Sequence, residues 1–212
     1  VPVQLLASGG AVIDSTVTSG GGVYVFDDVV AGTHTLRFIK PAGFTGSPQD
    51  QGGDDELDSD ADAAGGATDT FYVAADTVDN TRDAGFYRLA SVGDLVWEDA
   101  NGNGLQDAGE PGVADVTVNL LDSGDSVLAT TVTDAAGGYG FVDLPPGDYR
   151  LEFVAPSTYA FTQADAGTDD AADSDADAAT GRTAVVTFES GETDLTVDAG
   201  LVLLTGSVGD RV

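Results

Sequence analysis

Cysteine is absent from the 212-residue chain, which excludes a disulfide framework, a zinc–thiolate site and a thiol nucleophile. Methionine is absent too, even at position 1, so we expect a mature or excised fragment. Basic residues are scarce: 7 Lys and Arg face 37 Asp and Glu, a formal charge of −30. That balance argues against nucleic-acid binding and against docking on an anionic membrane. No apolar run reaches the roughly 18 residues of a membrane span, so no membrane insertion is expected.

The acidic residues are mostly of one kind, 31 Asp against 6 Glu. A solubilising coat or an exposed helix would use Glu freely, whereas Asp favours turns and cation-binding loops. Apolar residues make up 42% of the chain, which is enough for a core, so wholesale disorder is not expected.

An internal repeat organises the chain. A shift of 115 residues places Leu5-Leu6 on Leu120-Leu121 and Asp83-Ala84-Gly85 on Asp198-Ala199-Gly200. Chain continuation and strand donation by a neighbouring chain are alternative ways to complete the first copy. The predicted domains are 1–90, a first copy without its opening strand and calcium loop; 91–206, a complete copy; and 207–212, the first strand of a further copy or a strand donated to a neighbouring subunit.

Short runs rich in Val, Thr, Leu, Phe and Tyr alternate with turn signals such as Pro145-Pro146-Gly147. No window favours a long amphipathic helix. Seven strands in about 110 residues indicate a β-sandwich, so we predict an all-β fold of tandem Ig-like sandwiches arranged as a rod. The predicted strands of the complete copy are 92–97, 116–121, 127–133, 139–144, 148–154, 183–189 and 195–203.

The twelve-residue segment 99–110 has the spacing of an EF-hand calcium loop, although strands and not helices flank it. In such loops, oxygens at positions 1, 3, 5, 7, 9 and 12 surround one Ca²⁺, and a glycine at position 6 permits the turn. A polar Asn-Gly hairpin turn without a metal is the alternative. The predicted ligands are Asp99, Asn101, Asn103, the backbone carbonyl of Leu105, Asp107 and Glu110.

A second acidic pattern occurs twice and superposes under the same shift. Clustered carboxylates repel one another by about 4 kcal/mol per pair at 4 Å and an effective dielectric near 20, and divalent cations would reverse that effect. A solvated acidic loop adapted to a saline habitat is the alternative. The predicted ligands for further Ca²⁺ ions are Asp54, Asp55, Asp58, Asp60 and Asp62 in the first copy and Asp169, Asp170, Asp173, Asp175 and Asp177 in the second.

Catalytic constellations are poorly supported. A glycoside hydrolase needs one carboxyl in an apolar pocket, whereas these acids lie in polar Gly/Ala-rich loops. The single histidine, His34, lies in a predicted strand and has Tyr149 as its counterpart, so we expect a structural residue. Trp97 is expected to be a core anchor beside the loop at 99–110. We therefore predict that the chain is not an enzyme.

The motifs together resemble the B-repeat of bacterial serine–aspartate repeat adhesins, the SdrD B-like domains. They are Ser91-Val92-Gly93-Asp94 through Trp97 and the loop to Val118, Thr133-Asp134 through Tyr139-Gly140-Phe141, Asp173-Ser174-Asp175-Ala176-Asp177 and Asp198-Ala199-Gly200. The resemblance implies a prealbumin-like sandwich related to collagen-adhesin B-type modules, with several calcium sites per domain, in stalks of secreted or surface proteins. Related modules often carry a Lys–Asn isopeptide bond, but the only lysine here is Lys40, so the second copy cannot form one.

The leading functional hypothesis is an extracellular, calcium-rigidified stalk or filament unit of a bacterial or archaeal surface protein. Its expected partners are Ca²⁺ and other copies of the repeat, in the same chain or in neighbouring subunits that polymerise head to tail by strand donation. The alternative is an adhesin-type module whose loops bind a host or matrix protein or a glycan.

Overall fold

The computed structural model describes residues 1–206, and the predicted strand at 207–212 lies outside them. The described residues form strands and loops without an α-helix, which confirms the all-β prediction. They accordingly include no helix that is long and apolar enough to cross a membrane. The chain divides into two compact units, Val1–Arg88 and Leu89–Val212, here called unit 1 and unit 2.

Unit 2 is a sandwich of two sheets. One has the strand order β10-β7-β15-β12, with β14 also paired to β7, and the other has the order β13-β11-β8-β9. The strands are β7 (Ala90–Glu98), β8 (Thr117–Leu121), β9 (Val127–Val132), β10 (Gly138–Leu144), β11 (Gly147–Val154), β12 (Tyr159–Phe161), β13 (Val186–Phe188), β14 (Thr193–Asp194) and β15 (Ala199–Leu203).

All seven predicted strands of the second copy contain an observed strand, but two predictions were too long. Only Val186–Phe188 of 183–189 and Ala199–Leu203 of 195–203 are strands. The short strands β12 and β14 were not predicted, because two or three residues are too few to display an alternating pattern. They form by pairing with longer strands, β12 with β15 and β14 with β7.

The core of unit 2 lies between its two sheets. Val118 and Leu120 of β8 alternate inward and are almost fully buried, as their spacing of two residues requires in a strand. Trp97 at the end of β7 is fully buried in the structure, which confirms its prediction as a core anchor. Burying a side chain of this size contributes several kcal/mol, so this end of β7 is held firmly in place.

Unit 1 contains the counterpart of the sheet β13-β11-β8-β9, in the order β2-β1-β3-β5, and a strand pair, β4-β6, that corresponds to β12 and β15. Residues 23–29, the counterpart of β10, form no strand, and residues 1–88 contain no counterpart of β7. A cavity of about 820 Å³ lies here, lined by side chains that include Leu5, Tyr24 and Phe26. The strands are β1 (Pro2–Ala7), β2 (Val12–Val17), β3 (Gly32–Phe38), β4 (Thr45–Gly46), β5 (Phe71–Val73) and β6 (Phe86–Tyr87).

Candidate metal centres

The loop after β7 folds around the carboxylate of Asp99, which is fully buried. Its Oδ1 accepts hydrogen bonds from the amides of Gly102 and Asn103, at 2.6 and 3.2 Å, and its Oδ2 from the amide of Gly104 at 2.7 Å. The Thr162 hydroxyl also donates to Oδ2, at 2.6 Å. Burial alone would raise the pKa of Asp99, but the Thr162 hydroxyl and these amides lower it, so the group is ionised at neutral pH.

Three further side chains of the loop meet at one oxygen. The side-chain amides of Asn101 and Asn103 both donate to Asp107 Oδ2, at 2.8 and 2.9 Å. Glu110 closes the loop onto its start, because its two oxygens accept from the amides of Ala100 and Asp107 at 2.9 and 3.0 Å. Side chains at positions 3, 5 and 9 therefore converge, as the spacing predicts.

The loop packs against the second Asp-rich segment of unit 2. Leu105 forms an isolated bridge with Asp173, and the Gln106 amide donates to the Ala172 carbonyl at 2.9 Å. Asp173 is itself buried, and its Oδ2 accepts from the amide of Gly167 at 2.9 Å. The two patterns predicted separately from the sequence are thus neighbours in the fold.

A second acidic cluster lies beside the sheet that contains β7, formed by Asp94, Asp173, Asp175 and Asp198. Asp198 is 1% exposed; its Oδ1 accepts from the Leu95 amide at 2.9 Å, and its Oδ2 is buried without a hydrogen-bond partner. The Asp198 amide donates to Asp175 Oδ2 at 2.6 Å. An unpaired buried carboxylate oxygen is costly, so this cluster has the chemistry of a site that takes a cation.

Burial and mutual repulsion act together in this cluster. Burial, together with the charges of Asp94, Asp175 and Asp173, raises the pKa of Asp198 to about 8, although the Leu95 hydrogen bond acts in the opposite direction. Burial likewise raises the pKa of Asp175 to about 7, with repulsion from neighbouring carboxylates. Carboxylate oxygens suit a hard divalent ion such as Ca²⁺, although the four carboxylates described here are not arranged as a ready metal site in this structure.

Two of the four cluster residues, Asp94 and Asp198, were missing from the predicted ligands. Parallel pairing of β15 with β7, which aligns Ala199 with Val96, brings them together from positions far apart in sequence. Parallel partners cannot be inferred from local spacing, so the proximity of Asp94 and Asp198 could not be predicted from it. The available signal was the repetition of Asp83-Ala84-Gly85 at Asp198-Ala199-Gly200.

Several predicted ligands lie outside both centres. The carboxylate of Asp62 accepts three backbone amides, from Ala64, Gly65 and Ala67, which lower its pKa. Asp177 binds the hydroxyl and amide of Thr180 in the same kind of turn. Asp62 and Asp177 therefore bond the backbone of their own turns in this structure, and their roles as Ca²⁺ ligands stay predictions. Asp54, Asp169 and Asp170 are solvent-exposed.

Unit 1 contains a cationic side chain in its acidic segment. Arg82 contacts Asp55 at 3.4 Å and Asp79 at 3.3 Å, and its Nη1 donates to the buried carboxylate of Asp60. Asp58 Oδ1 is buried without a hydrogen-bond partner. Arg82 was not predicted as part of this cluster, because it lies 22 residues beyond Asp60 in the sequence.

Residues 1–206 contain no group of three or more His, Asp or Glu side chains in a ready metal-binding arrangement. The loop at 99–110 depends on two asparagines and a backbone carbonyl as well as carboxylates, so its donor set is broader than such a group. His34 is not part of either centre: its Nε2 bonds the Val30 carbonyl at 2.8 Å, which confirms the structural role expected for it.

The comparisons with known proteins agree with this architecture. The family model for the SdrD B-like domain matches residues 1–86 and 90–201. The chain is 37% identical over 214 residues to serine-aspartate repeat-containing protein F of Staphylococcus epidermidis, covering all of this chain and 12% of that protein. It is 40% identical over 182 residues to serine-aspartate repeat-containing protein D of Staphylococcus aureus, and the match covers 85% of this chain and 13% of that protein. The chain thus spans about an eighth of the length of these curated relatives.

Solved structures give weaker likenesses. The minor pilin GBS52 of Streptococcus agalactiae aligns with 99% of this chain and 85% of its own at 14% identity and a TM-score of 0.38. The Bacillus anthracis TIE protein aligns with 96% of this chain and 31% of its own at 12% identity and a TM-score of 0.39. With TM-scores below 0.5, neither structure supports an argument about this chain.

The family match covers nearly the whole chain and confirms the resemblance that the sequence motifs indicate. It also confirms the predicted cell-surface or extracellular localisation and an extracellular structural role for the module. The chain belongs to the SdrD B-like domain family.

Proposed function

We propose that the chain is a calcium-binding structural module, with at least two Ca²⁺ sites in unit 2. The first site is the loop at 99–110, and the second is the cluster of Asp94, Asp173, Asp175 and Asp198. The single observation that best supports the proposal is the buried, unpaired Oδ2 of Asp198 among other carboxylates. A divalent cation there would relieve both the desolvation and the repulsion.

The ligands would connect segments that lie far apart in the sequence. Asp94 lies on β7, Asp198 directly precedes β15, and Asp175 lies in the long segment between β12 and β13. The loop at 99–110 is joined to that same segment by the bridge between Leu105 and Asp173. Calcium at the two sites would fix these loops to the sheet that contains β7 and β15, which is a means of stiffening a load-bearing module.

Terbium luminescence tests the loop site, because Trp97 is the only tryptophan and lies just before the loop. Tb³⁺ bound at 99–110 should emit on excitation of Trp97, and excess Ca²⁺ should quench that emission. Glu110→Gln should abolish most of the signal, whereas the matched change Glu189→Gln, outside the loop, should leave it intact. Emission that survives Glu110→Gln would refute a site in this loop.

Thermal melting tests the cluster. In chelator, at a pH above the Asp198 pKa of about 8, Asp198→Asn should melt at a higher temperature than the wild type, because the change removes an unpaired buried charge. At a Ca²⁺ concentration of about 100 Kd, each occupied site should stabilise the wild type by about 2.7 kcal/mol, and the variant should lose the cluster's share. Asp83→Asn, at the corresponding position of unit 1, is the matched control. Rescue of wild-type melting by molar KCl alone, but not by Ca²⁺, would remove the metal hypothesis in favour of salt adaptation.

We further propose that the cavity of unit 1 accepts a strand of the β7 type. In unit 2, Phe141 and Tyr139 of β10 pair with Val92 and Asp94 of β7. The counterparts of these two aromatic residues in unit 1 are Phe26 and Tyr24, and both line the cavity. The strand would come from a chain segment preceding unit 1 in a longer protein or from residues 207–212 of another copy.

A synthetic peptide with the sequence of Ser91–Glu98 tests this strand site. It should protect the amides of residues 23–29 from hydrogen exchange, and a peptide with the same composition in scrambled order should not. Equal protection by both peptides, or by neither, would refute it. Sedimentation of the 212-residue chain then separates the two sources, since donation between copies predicts concentration-dependent oligomers.

A further inference from the structure

The two units build the same backbone frame around their acidic clusters. In unit 1 the Asp60 amide donates to the Asp83 carbonyl at 3.0 Å, and the Asp83 amide donates to Asp60 Oδ2 at 2.7 Å. In unit 2 the Asp175 amide donates to the Asp198 carbonyl at 3.0 Å, and the Asp198 amide donates to Asp175 Oδ2 at 2.6 Å. These two hydrogen bonds are therefore common to both clusters, whereas the bond from the Leu95 amide to Asp198 has no counterpart within residues 1–88, where β7 is missing.

One exchange inside this frame changes its charge. Arg82 in unit 1 corresponds to Val197 in unit 2 under the shift of 115 residues. The carbonyl of each residue accepts a hydrogen bond from the corresponding tyrosine hydroxyl, that of Tyr24 for Arg82 and that of Tyr139 for Val197. Only the side chain differs: a guanidinium on Asp60 in unit 1, and a methyl-bearing side chain buried in the core in unit 2.

The guanidinium is held in place from several sides. It reaches Asp55, Asp60 and Asp79, and its carbon lies 5.6 Å from the ring centroid of Phe71. In unit 2 the counterpart of Phe71 is Val186, so the aromatic support is absent together with the arginine. The described residues of unit 2 include two arginines, Arg150 and Arg182, and both form ion pairs with Asp125. Arg182 also pairs with Glu152.

We propose that Arg82 is an internal cation that takes the place of the divalent ion in unit 1, so that the Asp60–Asp83 cluster does not bind Ca²⁺ and the Asp175–Asp198 cluster does. This inference rests on the calcium-binding function proposed above. A planar guanidinium with five donors can satisfy carboxylates from several residues at once. The guanidinium thereby offsets part of the negative charge of the first cluster at any calcium concentration, and only the second cluster responds to the ion.

Exchange of the two side chains tests the inference. Arg82→Val should open a new site: peptides containing Asp60 and Asp83 should gain Ca²⁺-dependent protection from hydrogen exchange, which the wild type lacks. Unit 1 should then melt about 10 °C higher at a Ca²⁺ concentration of roughly 100 Kd than in chelator. Titration calorimetry on the same 212-residue chain should show one additional Ca²⁺ per molecule. Arg82→Lys keeps the positive charge and should gain no site.

Val197→Arg is the reciprocal change and should remove one Ca²⁺ from unit 2. Val197 is buried, so this variant can fail to fold, and the gain of binding in Arg82→Val remains the deciding result. Ca²⁺-dependent protection around Asp60 in the wild type, or an Arg82→Val chain that Ca²⁺ neither binds nor refolds, would overturn the inference. Such a failure leaves terbium emission from the loop of unit 2 intact, whereas failure of the proposed function abolishes both signals.

Discussion

Units 1 and 2 have different side chains at several equivalent positions. Some of these exchanges preserve an interaction, and others remove one. His34 Nε2 bonds the Val30 carbonyl at 2.8 Å, and its counterpart Tyr149 donates its hydroxyl to the Pro145 carbonyl at the same distance. That exchange preserves the interaction. The exchange of Arg82 for Val197 preserves the backbone and removes a positive charge from an acidic cluster. The two units therefore keep the same fold while the charge of equivalent clusters differs, and the calcium proposal predicts that their requirement for a cation differs with it.

The largest expected effect concerns the loop that distinguishes unit 2. Gly104 has φ +81°, and a Cβ there would lie 2.5 Å from Ala166 Cβ and 2.7 Å from the Gln163 carbonyl oxygen. Gly104→Ala combines backbone strain with a steric clash, so we expect a loss of about 3 kcal/mol in the free energy of unfolding of unit 2. Denaturant unfolding followed by Trp97 fluorescence measures this loss.

Gly102→Ala is the matched control in the same loop. Its φ is +74°, but a Cβ there has nothing within 4 Å, so only strain of about 1 kcal/mol is expected. The difference in stability loss between the two variants measures the cost of the steric clash between the loop and the segment after β12. Equal losses would mean that the contact between the two loops contributes nothing to unit 2.

A smaller effect is expected from the hydroxyl that anchors the loop. Thr162→Val removes the 2.6 Å hydrogen bond to Asp99 and leaves a buried carboxylate short of one donor. We expect a loss of about 2 kcal/mol in chelator. Ser47, the counterpart in unit 1, has no such loop beside it within residues 1–88, so Ser47→Ala should change stability little. Thermal melting of both variants tests the contrast, and a larger effect at Ser47 would contradict it.

Local sequence patterns predicted much of the fold and of the loop at 99–110, whereas contacts made by long-range pairing were not predicted. The β-sandwich and the convergence of Asn101, Asn103 and Asp107 followed from spacing alone, because a strand or a loop fixes its own neighbours. The joining of Asp94 to Asp198 and of Arg82 to Asp60 depended on strand pairing and on distant segments, which spacing does not encode. For the same reason, the alternating Asp run did not reveal that Asp177 closes a turn, and its role as a ligand stays a prediction.

Aspartate is abundant in this chain for a second reason besides the candidate metal centres. Every non-glycine residue with positive φ in the described part of the chain is an aspartate, at positions 28, 50, 76, 115, 125, 143 and 165. Asp tolerates the left-handed conformation better than most residues, since its short carboxylate bonds nearby amides. Asp76 even stands where unit 2 has Gly191, which also has positive φ. Part of the Asp excess therefore builds turns and carries no implication for cations.

The smallest expected effect asks whether the aromatic ring under Arg82 belongs to the internal cation. Phe71→Val copies Val186 of unit 2 and removes both packing and the cation–π contact. A double-mutant cycle with Arg82→Val separates the two, because packing loss is common to both backgrounds. We expect a coupling of about 0.5–1 kcal/mol between the two side chains, measured by denaturant unfolding of unit 1 in chelator. Zero coupling would mean that Arg82 is held by Asp55, Asp60 and Asp79 alone, and that the replacement of Phe71 by Val186 is unrelated to the loss of the charge.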